Sequence, residues 1–399
     1  MLAITRGTVL TPTQTLENGV LLIDAGKIVD VGIGLGVPSD AEVIDAAGKV
    51  VFPGLIDAHC HAGLFPDGVG VVDSDGNEMT DPVTPHLRAI DAIHPADQAF
   101  ADLRAAGVTT INTGPGSANL VGGQTAVIKT VGRTVDEMLL LAPAGMKMAL
   151  GENPKRVYGE NKKTPSTRMG NAGLLREWLF KTRNYLASRA EYERKLAEAE
   201  AGVEGAKTPE PFAIDLRLEE LSRVLTRELP VHLHAHRADD ILTAIRIAEE
   251  FDLDLVLIHA TEGHKIADIL ADRQIPCIVG PILFSRMKLE LRDMTPRNPA
   301  ILAAAGATVA IQTDGMSSVR YLAIDAALAV QQGLDESEAL RAVTLTPAEL
   351  LHIDHRVGSL EPGKDADLVI ASGHPFDIAH SRVDRVLIDG RTVFDAEQP

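Results

Sequence analysis

The chain is short of several things at once. Of 399 residues only two are cysteine, Cys60 and Cys277, one is tryptophan, and aromatic side chains make up 4%. Two cysteines cannot staple a disulfide scaffold, and they suit a reducing compartment. Positive charge is scarce too: 38 Lys and Arg stand against 56 Asp and Glu, a formal net charge of −18. A surface that acidic repels phosphate backbones and anionic lipid, so neither nucleic acid nor membrane is expected as a partner. No run reaches the ~18 apolar residues of a membrane helix. The start, Met1-Leu-Ala-Ile-Thr-Arg-Gly7, has neither the basic opening nor the apolar stretch of a signal peptide. The expectation is a cytoplasmic protein that acts on a small molecule and is free to form a homo-oligomer.

What is present is an ordinary globular composition, 45% hydrophobic and 24% charged. That is enough apolar material for a large core spread over two or three domains. Residues 1–52 alternate short apolar runs (Gly19–Asp24, Lys27–Val31, Ala41–Asp45) with Gly- and Asp-bearing turns, the pattern of short antiparallel strands. The same texture returns in Asp367–Ala371, Arg385–Asp389 and Thr392–Phe394. The two ends, 1–52 and 356–399, are therefore expected to pair into one small β-sandwich. Between them, over 53–355, eight β-branched runs alternate with Ala/Leu/Glu-rich helical stretches. They are Gly54–Asp57, Val108–Asn112, Ala126–Lys129, Met146–Leu150, Pro230–His234, Leu255–His259, Pro276–Val279 and Thr308–Gln312. Eight parallel β/α units close a TIM-type (β/α)8 barrel. A last helix is expected near Leu334–Leu351. The stretch 154–229 is too long for a connection and carries charges at helical spacing, so it is predicted to be a helical insertion between strands four and five.

Chemistry enters with the histidines. Active sites of such barrels sit at the C-terminal strand ends. Strand one ends Asp57-Ala-His59-Cys60-His61, and residues two apart in a strand face one side, so the two imidazoles form a ready chelate. Strand five ends His232-Leu-His234-Ala-His236, strand six at His259, and strand eight at Asp314. Imidazole and carboxylate donors on four strand ends suit a borderline divalent ion such as Zn2+, one or two in number, with a position left open for water. Lys155, Arg156 and Arg168, after strand four, are candidates for binding a substrate carboxylate. Gln124, behind Gly122-Gly123, is a candidate substrate contact. By parity Cys60 faces away from the metal, and Cys277 reads as a small hydrophobe inside a strand.

The segment Val51-Phe-Pro-Gly-Leu-Ile-Asp-Ala-His-Cys-His61 resembles the strand-one signature of the amidohydrolase superfamily. The tail from Val357 to Val369 and Val386-Leu-Ile-Asp-Gly390 resembles the closing segment of its small β domain. The nearest subgroup is that of imidazolonepropionase and related metal-dependent amidohydrolases. The resemblance implies metal ligation by His59, His61, His234, His259 and Asp314, with Asp314 also taking a proton from the attacking water; His236 would then stand above the metal, within reach of a substrate oxygen. It implies too that a two-metal site needs a bridging anion, either a carbamylated lysine or a glutamate. Lys147 and Glu152 both qualify, with the preference given to Glu152; Lys129 is a third candidate that reads better as a surface residue. The activity implied is hydrolysis of an amide or cyclic amide by metal-activated water. Deamination of a heterocyclic base is the alternative, followed by dipeptide or acyl-group hydrolysis. A non-catalytic scaffold ranks last, because no ligand position has been lost. Specificity is expected to lie in the insertion and in the segment Leu64–Ala99.

Overall fold

A computed structural model of the chain describes residues 1–11, 14–66, 74–315 and 318–397. Part of the segment assigned to specificity, residues 67–73, thus lies outside the described residues. Both termini contribute to one sheet. Its strands are β1 (Leu2–Leu10), β2 (Thr15–Asp24), β3 (Lys27–Ile33), β4 (Glu42–Asp45) and β5 (Val50–Pro53), joined at the far end of the chain by β14 (Leu368–Ala371), β15 (Val383–Ile388) and β16 (Arg391–Asp395). The order β16-β15-β14-β5-β1-β2-β3, with β4 beside β1, makes this one continuous sheet. It curls until Lys27 bridges back to Asp365, and it encloses a core of Ile4, Val9, Leu21, Ile23, Leu368 and Leu387 among others.

The second sheet also has eight strands: β6 (Leu55–Cys60), β7 (Val108–Thr113), β8 (Val121–Lys129), β9 (Leu139–Ala149), β10 (Val231–Ala235), β11 (Leu255–His259), β12 (Cys277–Val279) and β13 (Val309–Ile311). They follow one another in chain order. The first and last strands meet at the mouth, where Asp314 N donates to His59 O (3.1 Å) and His61 N to Gly315 O (2.9 Å). The barrel is therefore closed at the level where the histidines sit.

One strand departs from the expected parallel set. β8 runs antiparallel to both β7 and β9. The connection from Thr113 to Val121 covers only residues 114–120, and a parallel crossover needs a dozen residues or more. The chain can only turn back. The consequence for the site is direct, because β8 carries Lys129 to the end of the barrel opposite the histidines.

Three helices occupy the stretch between β9 and β10: Glu152–Glu160, the 33-residue Arg168–Glu200, and Leu216–Leu225. Each long one starts at a side-chain cap, Thr167 bonding Gly170 N and Asp215 bonding Arg217 N and Leu218 N. The buried face of Arg168–Glu200, including Leu175 and Leu179, joins the core around β9–β11; its distal half is charged and exposed, laced by pairs such as Arg194 with Glu191 and Glu198. The helix expected near Leu334–Leu351 is two, Glu336–Ala342 and Leu345–Leu350. Among the described residues no helix is long and apolar enough to cross a membrane.

Candidate active site

At the mouth, the backbone leaves β11 and β13 under strain. His259 (φ +73°), Ala260 (φ +42°) and Asp314 (φ +52°) occupy the left-handed region, which costs an L-residue roughly 1–3 kcal/mol and persists only where the surroundings fix it. Asp57 supplies part of that fixing. Its carboxylate accepts from Thr313 Oγ1 (2.5 Å), Thr313 N and His59 N, tying β6 to the turn that presents Asp314. Complete burial raises its pKa to about 7, against the opposing pull of those hydrogen bonds.

Two groups of donors result, each with its ligand atoms within 4.8 Å of one another: His59, His61 and Asp314; and His234, His236 and His259. Asp314 Oδ1 stands between them, 3.3 Å from His61 Nε2, 3.6 Å from His59 Nε2 and 3.7 Å from His259 Nε2. The outer partners settle which imidazole nitrogens are free. His61 Nδ1 lies 2.8 Å from Gly114 O, and His259 Nδ1 lies 2.8 Å from Gly280 O. A carbonyl only accepts, so Nδ1 carries the hydrogen in both and Nε2 is left as a bare lone pair. His236 Nδ1 bonds Thr261 Oγ1 (2.7 Å) and His234 Nδ1 bonds Ser117 Oγ (2.8 Å). The Nε2 atoms of His236 and His259 are buried with no hydrogen-bond partner among the described residues. Orphaned lone pairs are rare in folded proteins, and this donor set fits a borderline divalent ion. Burial drives the pKa of His59, His234, His236 and His259 down, so all four are neutral and able to ligate; Asp314 is held well below the usual carboxylate range by the histidines around it, which outweigh its burial.

The candidate bridging residues separate clearly. Lys147, in β9, is fully buried with Nζ 2.9 Å from His59 Nε2, and burial pulls its pKa down to about 8. Glu152, preferred from the sequence, belongs to neither donor group. It opens the helix Glu152–Glu160 and lines the cavity above the histidines. Gly151-Glu152 is thus a helix start: Gly151 sits at φ +88°, and a Cβ there would come within 2.7 Å of Glu290 Oε1. Lys129 is neither exposed nor near the mouth. Its Nζ is bound to Asp365 (2.8 Å), Asp367 (3.0 Å) and Asp389 (2.6 Å) of the small sheet.

A cavity of about 550 Å3 opens over the donors. Of the expected substrate contacts, His236 and Arg156 line it, while Gln124 and Lys155 do not. Gln124 pairs with Met146, one residue off the inward-facing Lys147, so parity turns it outward to Pro85 O (3.2 Å). In the helix Glu152–Glu160, residues 152, 153 and 156 share the cavity face, and Lys155 points elsewhere. Arg168 is engaged by Asp240 (2.9 Å) and Glu290 (2.7 Å). His236, placed above the metal from the sequence, stands level with His234 and His259 as a donor. The sequence reading passed over Lys288, Asn153 and Ser117, which also line the cavity. The only signal for Lys288 is a cation in the run Pro281–Leu291, where Arg286 is a second one.

A closed barrel with imidazole-rich donor groups and a carboxylate at its mouth defines the class of metal-dependent hydrolases. The chain belongs to the amidohydrolase family, whose sequence model matches residues 50–393. It is 46% identical to an amidohydrolase from Thermotoga maritima MSB8, whose crystal structure superposes with a TM-score of 0.93 over 99% of this chain and 100% of that one. It is 30% identical, over 94% of its length, to the amidohydrolase tasK of Hapsidospora irregularis, of which it spans only 40%. A 5-methylthioadenosine/S-adenosylhomocysteine deaminase from Symbiobacterium thermophilum is 25% identical over 92% of this chain and 84% of its own.

Proposed function

We propose that this chain hydrolyses a carbon–nitrogen bond, in an amide or cyclic amide of a small molecule, with Asp314 carrying the proton. The observation that supports it most is the placement of Asp314 Oδ1 within 3.3–3.7 Å of three imidazole nitrogens under an open cavity. His59, His61, His234, His259 and Asp314 would hold one or two divalent ions, with His236 as a further donor; Zn2+ suits this mixture of nitrogen and oxygen. A bound ion of this kind lowers the pKa of water toward ~7 and polarises the scissile carbonyl. The residues do the rest. Asp314 takes the proton from the attacking water and returns it to the leaving nitrogen, as a carboxylate within hydrogen-bond reach can.

Lys147 is the bridging residue in this reading, in place of Glu152. A fully buried ammonium with no carboxylate within ion-pair distance among the described residues is costly. Addition of its neutral amine to carbon dioxide, with loss of one proton to water, makes a carbamate that removes the cation and supplies an anionic ligand. Deamination of a heterocyclic base is the second reading, favoured by the likeness to the methylthioadenosine/S-adenosylhomocysteine deaminase. We further assign residues 1–52 with 356–399 to the small domain, 53–355 to the barrel and 154–229 to an insertion in it; the two buried free thiols fit a cytoplasmic location. The test is metal analysis of the purified protein together with Asp314→Asn on a panel of amides. The expected result is one to two zinc-like ions, most of them kept in the variant, and turnover lower by ~100-fold or more. Wild-type turnover in Asp314→Asn would overturn the assignment.

A further inference from the structure

The cavity over the donors is lined by four formal charges, Glu152, Asp314, Arg156 and Lys288. The two cations differ from the other basic residues around them, which are consumed by structure: Arg168 by Asp240 and Glu290, Lys265 by Glu262 and Asp293, Arg217 by Asp81. Neither Lys288 nor Arg156 has a carboxylate within 4.0 Å among the described residues. Lys288 is mostly buried, and burial lowers its pKa. Its single hydrogen bond there is to the neutral amide of Asn153, Nζ to Oδ1 at 3.0 Å, and Asn153 Nδ2 in turn lies 3.5 Å from His234 Nε2. One side chain therefore separates this ammonium from the metal donors.

Its position is held by design of the segment that carries it. Two residues on, Glu290 is buried, and its Oε1 accepts from the backbone N of Glu152 (2.6 Å) and from Arg168 (2.7 Å). The loop is pinned to the start of the helix bearing Asn153 and Arg156. The same cavity has apolar lining at Phe65, Ile282, Phe284, Met287, Leu291 and Met294. A largely buried cation with no carboxylate partner among the described residues, set in the wall of a cavity beside a reaction centre, calls for an anion delivered by the substrate.

We propose that Lys288, assisted by Arg156, is the specificity-determining anchor for a substrate carboxylate, and that the substrate is an N-acylated amino acid or similar amide with an apolar side chain. The inference rests on the proposed C–N hydrolysis and names its substrate class. Lys288 gives a point charge and Arg156 a planar fork that matches a carboxylate. The acyl carbonyl is then directed toward the donor groups, which Asn153 links to Lys288 through His234.

The experiment measures binding by calorimetry and, separately, hydrolysis, using N-acetyl-leucine, N-acetyl-methionine and N-acetyl-phenylalanine against their C-terminal carboxamides. The wild type should bind at least one acid tenfold or more tighter than its carboxamide. Lys288→Met should erase that preference, and Lys288→Arg should keep most of it, with circular dichroism and metal content reported for both. Equal binding of acid and carboxamide throughout the panel, no binding of any acid, or an undiminished preference in Lys288→Met would each overturn the anchor. Failure of C–N hydrolysis reads out differently: no turnover of any acid or carboxamide, whatever the binding preference.

Discussion

Lys129 provides the sharpest stability test. Its ammonium, 5% exposed, joins β8, at the end of the barrel opposite the histidines, to Asp365, Asp367 and Asp389 of the small sheet. Asp365 has other cations, Arg356 and Lys27, whereas Lys129 is the one cation on Asp367 among the described residues. Lys129→Met keeps the chain's length and strands Asp367. Breaking a buried pair by removing one partner costs ~3–5 kcal/mol. Part of that is pH-sensitive, and its size follows from the carboxyl group. Burial already raises Asp367 to about 6 in the presence of the lysine. Without it the group can escape further cost by staying protonated, so its added penalty at pH 7.5 is at most about 2 kcal/mol, at 1.36 kcal/mol per unit between about 6 and 7.5. Because the folded-state pKa lies above the unfolded value, the burden is present above pH ~6 and is shed as pH falls through it. Urea unfolding followed by circular dichroism should show a deficit of ~3–5 kcal/mol at pH 7.5, narrowing by about 2 kcal/mol at pH 5.5, with Asp367→Asn restoring stability in the Lys129→Met background. A deficit below ~1 kcal/mol, or one indifferent to pH, would refute this account.

Further outcomes concern the site. His59→Ala and His61→Ala should each abolish bound metal and activity, as read by elemental analysis and turnover; undiminished metal in both would reject the strand-one chelate. Lys147→Met should lose one ion while Glu152→Gln keeps the full complement, and added bicarbonate should raise the activity of wild type prepared free of carbon dioxide. The reverse pattern would return the bridging role to Glu152.

The barrel, the small sheet and the strand-end positions of the histidines and Asp314 were legible in the chain because they rest on local pattern. Alternating apolar runs set strands, and the strand-end motifs place His59, His61, His234, His259 and Asp314 without knowledge of neighbours. Parity alone did not suffice elsewhere. Gln124 looked like a mouth residue, and only its pairing with Met146 shows that it faces outward. Glu152 and Lys147 are five positions apart on paper; which one reaches His59 depended on Gly151 turning the chain out of the strand and into a helix. Lys129 read as a surface cation because its three carboxylates lie more than 230 residues away. Lys288 was invisible for the same reason: a lone lysine in an apolar loop acquires meaning when Glu290 pins the loop beside Asn153. Sequence determines what a residue can do chemically and which face of its own element it takes. Which charges meet, and which are left without a partner, is set by contacts distant in the chain, and those exist only once the barrel has closed.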